Sequence, residues 1–287
     1  MNSTSDNQRS KEHDEHVLST KPQTSLRIGS LEWERAGGPP LSFGQKLTAL
    51  GEAGIVVLAH YGQMFRWQLG RLGLFPALHV KTVDLSGWAL PDTHVAREAE
   101  SYLREVSTQE MINHSLRTYY FSGILYELSS LKQSLDREAL YVAALMHDVG
   151  LFQTSPPASE HCFTVGSARE ARRIMKDVGW DDARQNNVAV AITSNLNSFV
   201  PIDEFGLEAH FMRAGGLVEV IAQEWKISPE NVTEILKRCP REGFAADALM
   251  HIKREMKWNP GCRFACLDPL FPMMLRRSKF SQESCQQ

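Results

Sequence analysis

The chain has 287 residues, 43% hydrophobic and 23% charged, with 31 Lys+Arg against 34 Asp+Glu and a formal net charge of -3. That balance supplies no global positive field to hold a polyanion, so nucleic acid is disfavoured as the main partner. The length is enough to bury a full core without staples, and five cysteines at irregular spacings fit a reducing, cytoplasmic setting better than a disulfide framework.

Residues 1–30 read as a disordered polar tail, carrying His13 and His16 and lacking the apolar core of a signal peptide. Residues 31–86 form an expected N-terminal helical extension, residues 87–270 the main helical domain, and residues 271–287 a C-terminal tail. Within the extension, Leu47 to Phe75 has helical periodicity but is interrupted by Gly51, Gly54, Gly62, Gly70 and Gly73, which predicts one or two broken helices with a face free for a lid or a homodimer contact. The most apolar stretch, Ile55 to Ala59, is far shorter than the roughly 20 residues a membrane span needs.

From Pro91 onward the helix signals are clearer. Asp92 and Thr93 can cap a helix carrying Val95, Ala96, Ala99, Leu103 and Val106 on one face, and a second helix runs from Gln109 to Leu131. Asp136 caps a third through Met146, with Gly150 expected to end it. Further windows are Val165 to Val178, Asp182 to Ser194, Gly206 to Trp225, Pro229 to Lys237, started by Ser228, and Phe244 to Met256. Strand alternation is absent, so the fold class is all-α.

Chemistry concentrates around three residues. His147 and Asp148 close the apolar run YVAALMHDVG, where a charge needs a partner. Adjacent helical residues point about 100° apart, so the two can share one ion only beside the helix end. His114, in NHSLRTYYF, lies on the preceding helix, and an antiparallel pairing would bring it against His147. From residue chemistry alone the plainer reading is a satisfied core histidine and a helix-end hydrogen-bonding pair.

The ordered set of segments resembles the HD-domain superfamily, and cyanamide hydratase-like members in particular. It comprises WALPDT, NHSLRTYYF, ALYVAALMHDVGLF, CFTVGSAREA, FMRAGGLVEVIA and EGFAADAL, spanning Gly87 to Asp268. The resemblance implies a divalent cofactor, Zn, Fe or Mn, or its loss, with His114, His147 and Asp148 as ligands. Glu219 stands where those proteins carry an aspartate as fourth ligand. Thr164 replaces a usual glutamate and Thr193 a common histidine, so the proton relay is altered. His210 and Glu208 are candidates to replace it, Arg117 is an expected electrostatic clamp or partner of Asp148, and Tyr119, Tyr120 and Phe121 are pocket walls or core.

The implied reaction is hydration, hydrolysis or water elimination on a small organic molecule, in a specialised metabolic pathway. A cyclase, isomerase or binding protein on a degenerate HD fold is one alternative. A nucleotide phosphohydrolase is another, and it requires Arg117, Arg169, Arg172 or Arg173 beside the ion.

Overall fold

The computed structural model describes residues 26–153 and 162–281. Within them the chain forms thirteen α-helices and no strand, which establishes the all-α class. In order these are α1 (Leu31–Arg35), α2 (Phe43–Arg71), α3 (His94–Val106), α4 (Gln109–Ser129), α5 (Arg137–Met146), α6 (Phe163–Asp177) and α7 (Asp182–Ser194). They continue with α8 (Ile202–Phe205), α9 (Leu207–Ile221), α10 (Pro229–Arg238), α11 (Phe244–Trp258), α12 (Arg263–Cys266) and α13 (Leu270–Arg277).

Local chemistry sets most helix starts. Thr93 and Asp136 accept from the backbone N–H three residues on, and Ser228 does the same ahead of Pro229. Such a side-chain oxygen satisfies one of the four orphan donors at a helix start. The helix end after Met146 differs from expectation. Gly150 does not cap it but sits in a 3₁₀ turn, Val149–Phe152, where the glycine is needed because a Cβ would lie 2.1 Å from the Phe163 carbonyl oxygen. This close approach fixes the start of α6 against the turn that follows His147 and Asp148.

Helix α5 is the centre of the molecule. Every residue from Ala139 to Met146 is buried, so the helix is apolar all round and must be wrapped on all sides. It packs against α3, α4, α6, α7 and α9. The α4–α9 contact runs furthest and depends on Gly215, where a Cβ would stand 2.2 Å from Ser122 Oγ and 2.5 Å from its backbone N.

The ends of the chain depart from expectation. Leu47 to Phe75 does not break: α2 is one helix of 29 residues, opened by a reciprocal capping box between Ser42 and Gln45. Exposed helical glycines cost about 1 kcal/mol each without forcing a break. Only His60 and Gly70 of α2 are buried, and its outer face exposes Leu47, Ile55, Leu58 and Phe65. Residues 26–30, expected to belong to the tail, are fastened instead: Gly29 O accepts from Thr193 and Ile28 O from Asn197. The segment expected as a C-terminal tail holds α13 and the fully buried Phe280, which stacks on Phe121. The remaining tail residues, 1–25 and 282–287, lie outside the described part of the chain, His13 and His16 with them.

Replacing Gly215 by Val is expected to lower stability by about 1–3 kcal/mol through overpacking at the α4–α9 seam. Gly216→Ala is the control, since its Cβ would meet only Thr118 Cγ2 at 3.8 Å. Chemical denaturation of both variants checks this: equal losses would show that the Ser122 contact is not what the glycine serves.

Candidate metal centre

The end of α5 and the middle of α4 meet at one point. His147 follows α5 with helical dihedrals, Asp148 comes next, and His114 projects from α4. His114 Nε2 lies 3.1 Å from His147 Nε2 and 3.4 Å from Asp148 Oδ2, and His147 Nε2 lies 3.3 Å from the same oxygen. Metal bonds of about 2.1 Å meeting at tetrahedral or octahedral angles put neighbouring donor atoms roughly 3.0–3.4 Å apart. The three side chains therefore have the spacing of ligands around one ion, and they fit a dication.

The tautomers make the same demand. His147 Nδ1 is 2.8 Å from the Ala144 carbonyl, which can only accept, so that nitrogen carries the proton. His114 Nδ1 is 2.8 Å from Glu219 Oε2 and donates to it. In the neutral rings both Nε2 atoms are then lone pairs, facing each other and a carboxylate oxygen. Three acceptors at this spacing repel unless a cation, a proton or a metal, sits among them.

Glu219 is placed differently from a fourth ligand. Its Oε2 takes the His114 proton, and its Oε1 accepts from Arg117 at 2.7–2.8 Å and from Arg241 at 3.2 Å. Glu219 and Arg117 are both 0% exposed. One methylene longer than aspartate, the carboxylate reaches past the cluster to the arginines and supports His114 from behind, as a carboxylate behind a ligating imidazole does.

Burial alone would pull the His114 imidazole down, but the Glu219 and Asp148 carboxylates outweigh it and hold it up at about 9. Burial and the neighbouring His114 keep His147 below its ordinary value, against the pull of Asp148. Burial would push Glu219 up, yet Arg117, His114 and Arg241 hold it far below the carboxylate range.

The triad opens into a cavity of about 150 Å³. Its walls come from α2 (Ala53, Val56, Val57), α9, α11, α13 and the loop 195–198, and they are chiefly apolar. Among the expected catalytic residues, Arg117, Thr164, Thr193 and His210 do not line it. Arg117 does not touch Asp148; besides Glu219 it donates to the Cys239 and Pro240 carbonyls. Thr164 Oγ1 and the Thr193 carbonyl both accept from Arg263, so the two threonines stand in a guanidinium cradle. His210 Nδ1 donates to the Val200 carbonyl, and Glu208 accepts from the Asp136 N–H. Tyr119, Tyr120 and Phe121 belong to the main core.

Three residues of the site carried no sequence signal. Arg241 pairs with Glu219, Phe244 stacks on the His114 ring at 4.6 Å, and Arg213 lines the cavity. Phe244 and Arg241 lie in or beside the EGFAADAL segment, but nothing in their spacing marks contact with α4 and α9.

Glu219→Gln is expected to cost about 3–5 kcal/mol, because it leaves two buried arginines short of their counter-charge; a loss under 1 kcal/mol in a denaturant titration would contradict the network. Metal uptake must displace the proton that His114 holds up to about 9. About one proton per ion should therefore be released at pH 7.5, read by calorimetry in buffers of different ionisation enthalpy. The sign for the metal-free protein follows: with the folded value raised, stabilisation from His114 is complete below about 6.5 and is lost as pH rises through about 9.

Residues 111–214 match the HD domain family. Among curated proteins, the cyanamide hydratases DDI2 and DDI3 of Saccharomyces cerevisiae are each 30% identical to this chain over 73 residues, 25% of this chain and 32% of the relative. The chain thus covers about a third of the length of these relatives. The family match contains all three converging donors and ends before Glu219. The chain carries an HD domain over residues 111–214, with His114, His147 and Asp148 inside it.

Proposed function

We propose that this protein is a metal-dependent enzyme that adds water to, hydrolyses, or eliminates water from a small organic substrate. The observation that carries the reading is the convergence of His114 Nε2, His147 Nε2 and Asp148 Oδ2 at 3.1–3.4 Å with both Nδ1 protons committed elsewhere. The two yeast relatives are both cyanamide hydratases, which supports water as the co-reactant.

His114, His147 and Asp148 would hold the ion, which when bound supplies Lewis acidity. Two His and one carboxylate suit Zn, Fe(II) and Mn alike. Glu219 orients His114 and Ala144 O orients His147, so neither ring can turn its lone pair away from the cavity. Asp148 uses Oδ2 toward the imidazoles, which leaves Oδ1 to accept a proton from an incoming water. The apolar walls exclude bulk water around the reacting atoms and select an uncharged reacting portion.

A phosphohydrolase reading finds less support. Arg117 is held by Glu219, Arg172 is paired with Glu34, and Arg169 and Arg173 lie at the surface on Glu170, so none of the cations it requires faces the triad. A non-hydrolytic cyclase, isomerase or binding protein is favoured by one observation: the threonines at 164 and 193 serve Arg263 and leave no relay at those positions.

Purified protein is expected to carry or take up close to one equivalent of a transition metal, with the double variant His147→Ala, Asp148→Ala taking up under a tenth. Metal analysis and turnover on a panel of nitriles and small amides test the proposal. Unchanged turnover in a folded double variant would sink the metal reading and leave the non-hydrolytic one.

A further inference from the structure

The buried and half-buried cations of this protein fall into two groups. Arg117 and Arg241 grip Glu219, and Arg172 grips Glu34, each with carboxylate oxygens within 3.2 Å. Arg213, on the cavity wall, has no carboxylate partner among the described residues. Its Nε donates to the Asn197 carbonyl at 2.8 Å, the side chain is half-buried, and desolvation with no counter-charge beside it lowers the guanidinium's pKa. A guanidinium drawn partly out of water onto a cavity wall, with no anion beside it, carries a desolvation cost that an anionic ligand would offset.

Its neighbours deepen the imbalance. Arg263 meets the same Asn197 from the other side, and its acceptors, Asn197 Oδ1, Thr164 Oγ1 and the Thr193 carbonyl, are all neutral. Lys226 is near enough for Arg213 to help push its ammonium down, after burial. Two further groups on the cavity wall, Thr118 Oγ1 and Asn195 Oδ1, are buried without a hydrogen-bond partner. The cavity is therefore apolar over most of its wall, positive at one end, and short of hydrogen-bond partners.

Position along α9 sets the scale. Arg213 is six residues before Glu219, which touches His114, so the guanidinium root and the triad are separated by roughly 9 Å along the helix axis. A space of about 150 Å³ is comparable to a cavity that admits one benzene ring. One guanidinium offers the two parallel donors a carboxylate takes, and an otherwise apolar wall provides too few donors for the oxygens of a phosphoryl group. Building on the proposed metal site, we infer that Arg213 anchors the carboxylate of a small, otherwise apolar monocarboxylic acid, whose reacting end lies at His114, His147 and Asp148.

The experiment uses the full chain stripped of metal with a chelator, so that no ion can hold the acid. Phenylacetate and hexanoate are compared with the uncharged phenylacetamide and hexanamide by calorimetry or saturation-transfer NMR. The acids are expected to bind at least tenfold more tightly than their amides, with the preference gone in Arg213→Gln and partly kept in Arg213→Lys. Ligand-free Arg213→Gln should melt at the same temperature or higher, since it loses a half-buried charge that has no carboxylate partner.

Equal binding of acids and amides, no binding of either acid at millimolar concentration, or a preference that survives Arg213→Gln overturns the inference. So does tighter binding of inorganic phosphate than of the acids, which would make the group held a phosphoryl. A large drop in melting temperature for Arg213→Gln with ligand binding unchanged would reduce Arg213 to a brace for Asn197, and also overturns it. Because the comparison is made without metal, failure of the metal site leaves this outcome intact, and failure here leaves the metal titration intact.

Discussion

The buried carboxylate of Glu219 is the constraint on which the site rests. It is shared as counter-charge by Arg117 and Arg241, fixes the proton on His114 Nδ1, and so decides which His114 nitrogen is free to meet His147 and Asp148. These contacts join α9 to α4 and to the segment before α11, none of them neighbours in sequence. Three charged groups enter the interior because each satisfies another, and removal of any one exposes the desolvation cost of the rest.

Around that knot the protein divides its labour by polarity. The apolar helix α5 serves packing along its length; just past its end the chain leaves helical geometry after His147 and presents His147 and Asp148 toward α4. Gly215 brings α9 close enough for Glu219 to reach His114. The remaining walls contribute shape more than chemistry, apart from the cationic end at Arg213.

Much of this was legible in the sequence, for reasons that can be stated. Caps at Thr93, Asp136 and Ser228 act through bonds three residues long, so local pattern suffices to find them. His147 and Asp148 stood out because a charge after a buried apolar run has to be accounted for. What could not be read depends on reach and on distant partners. Glu219 and an aspartate look alike in sequence, yet one methylene carries the carboxylate to Arg117 and Arg241, residues 102 and 22 positions away. Thr164 and Thr193 looked like altered proton-transfer groups, and their partner Arg263 lies 99 and 70 residues further on. The glycines of α2 suggested breaks because local propensity says nothing of how firmly a capping box can start a helix.

The cavity takes His147 and Asp148 from the end of α5 and part of its wall from α2, which has a consequence for how the protein opens. His147 and Asp148 hang from the most enclosed helix, whose amides can reach solvent only when the whole core comes apart, whereas α2 has few buried contacts and belongs to the easily opened part of the fold. Small molecules can thus come and go through local excursions of one wall while the donor triad keeps its geometry. A molecule bound in the cavity and an ion bound at the triad would therefore leave on separate clocks.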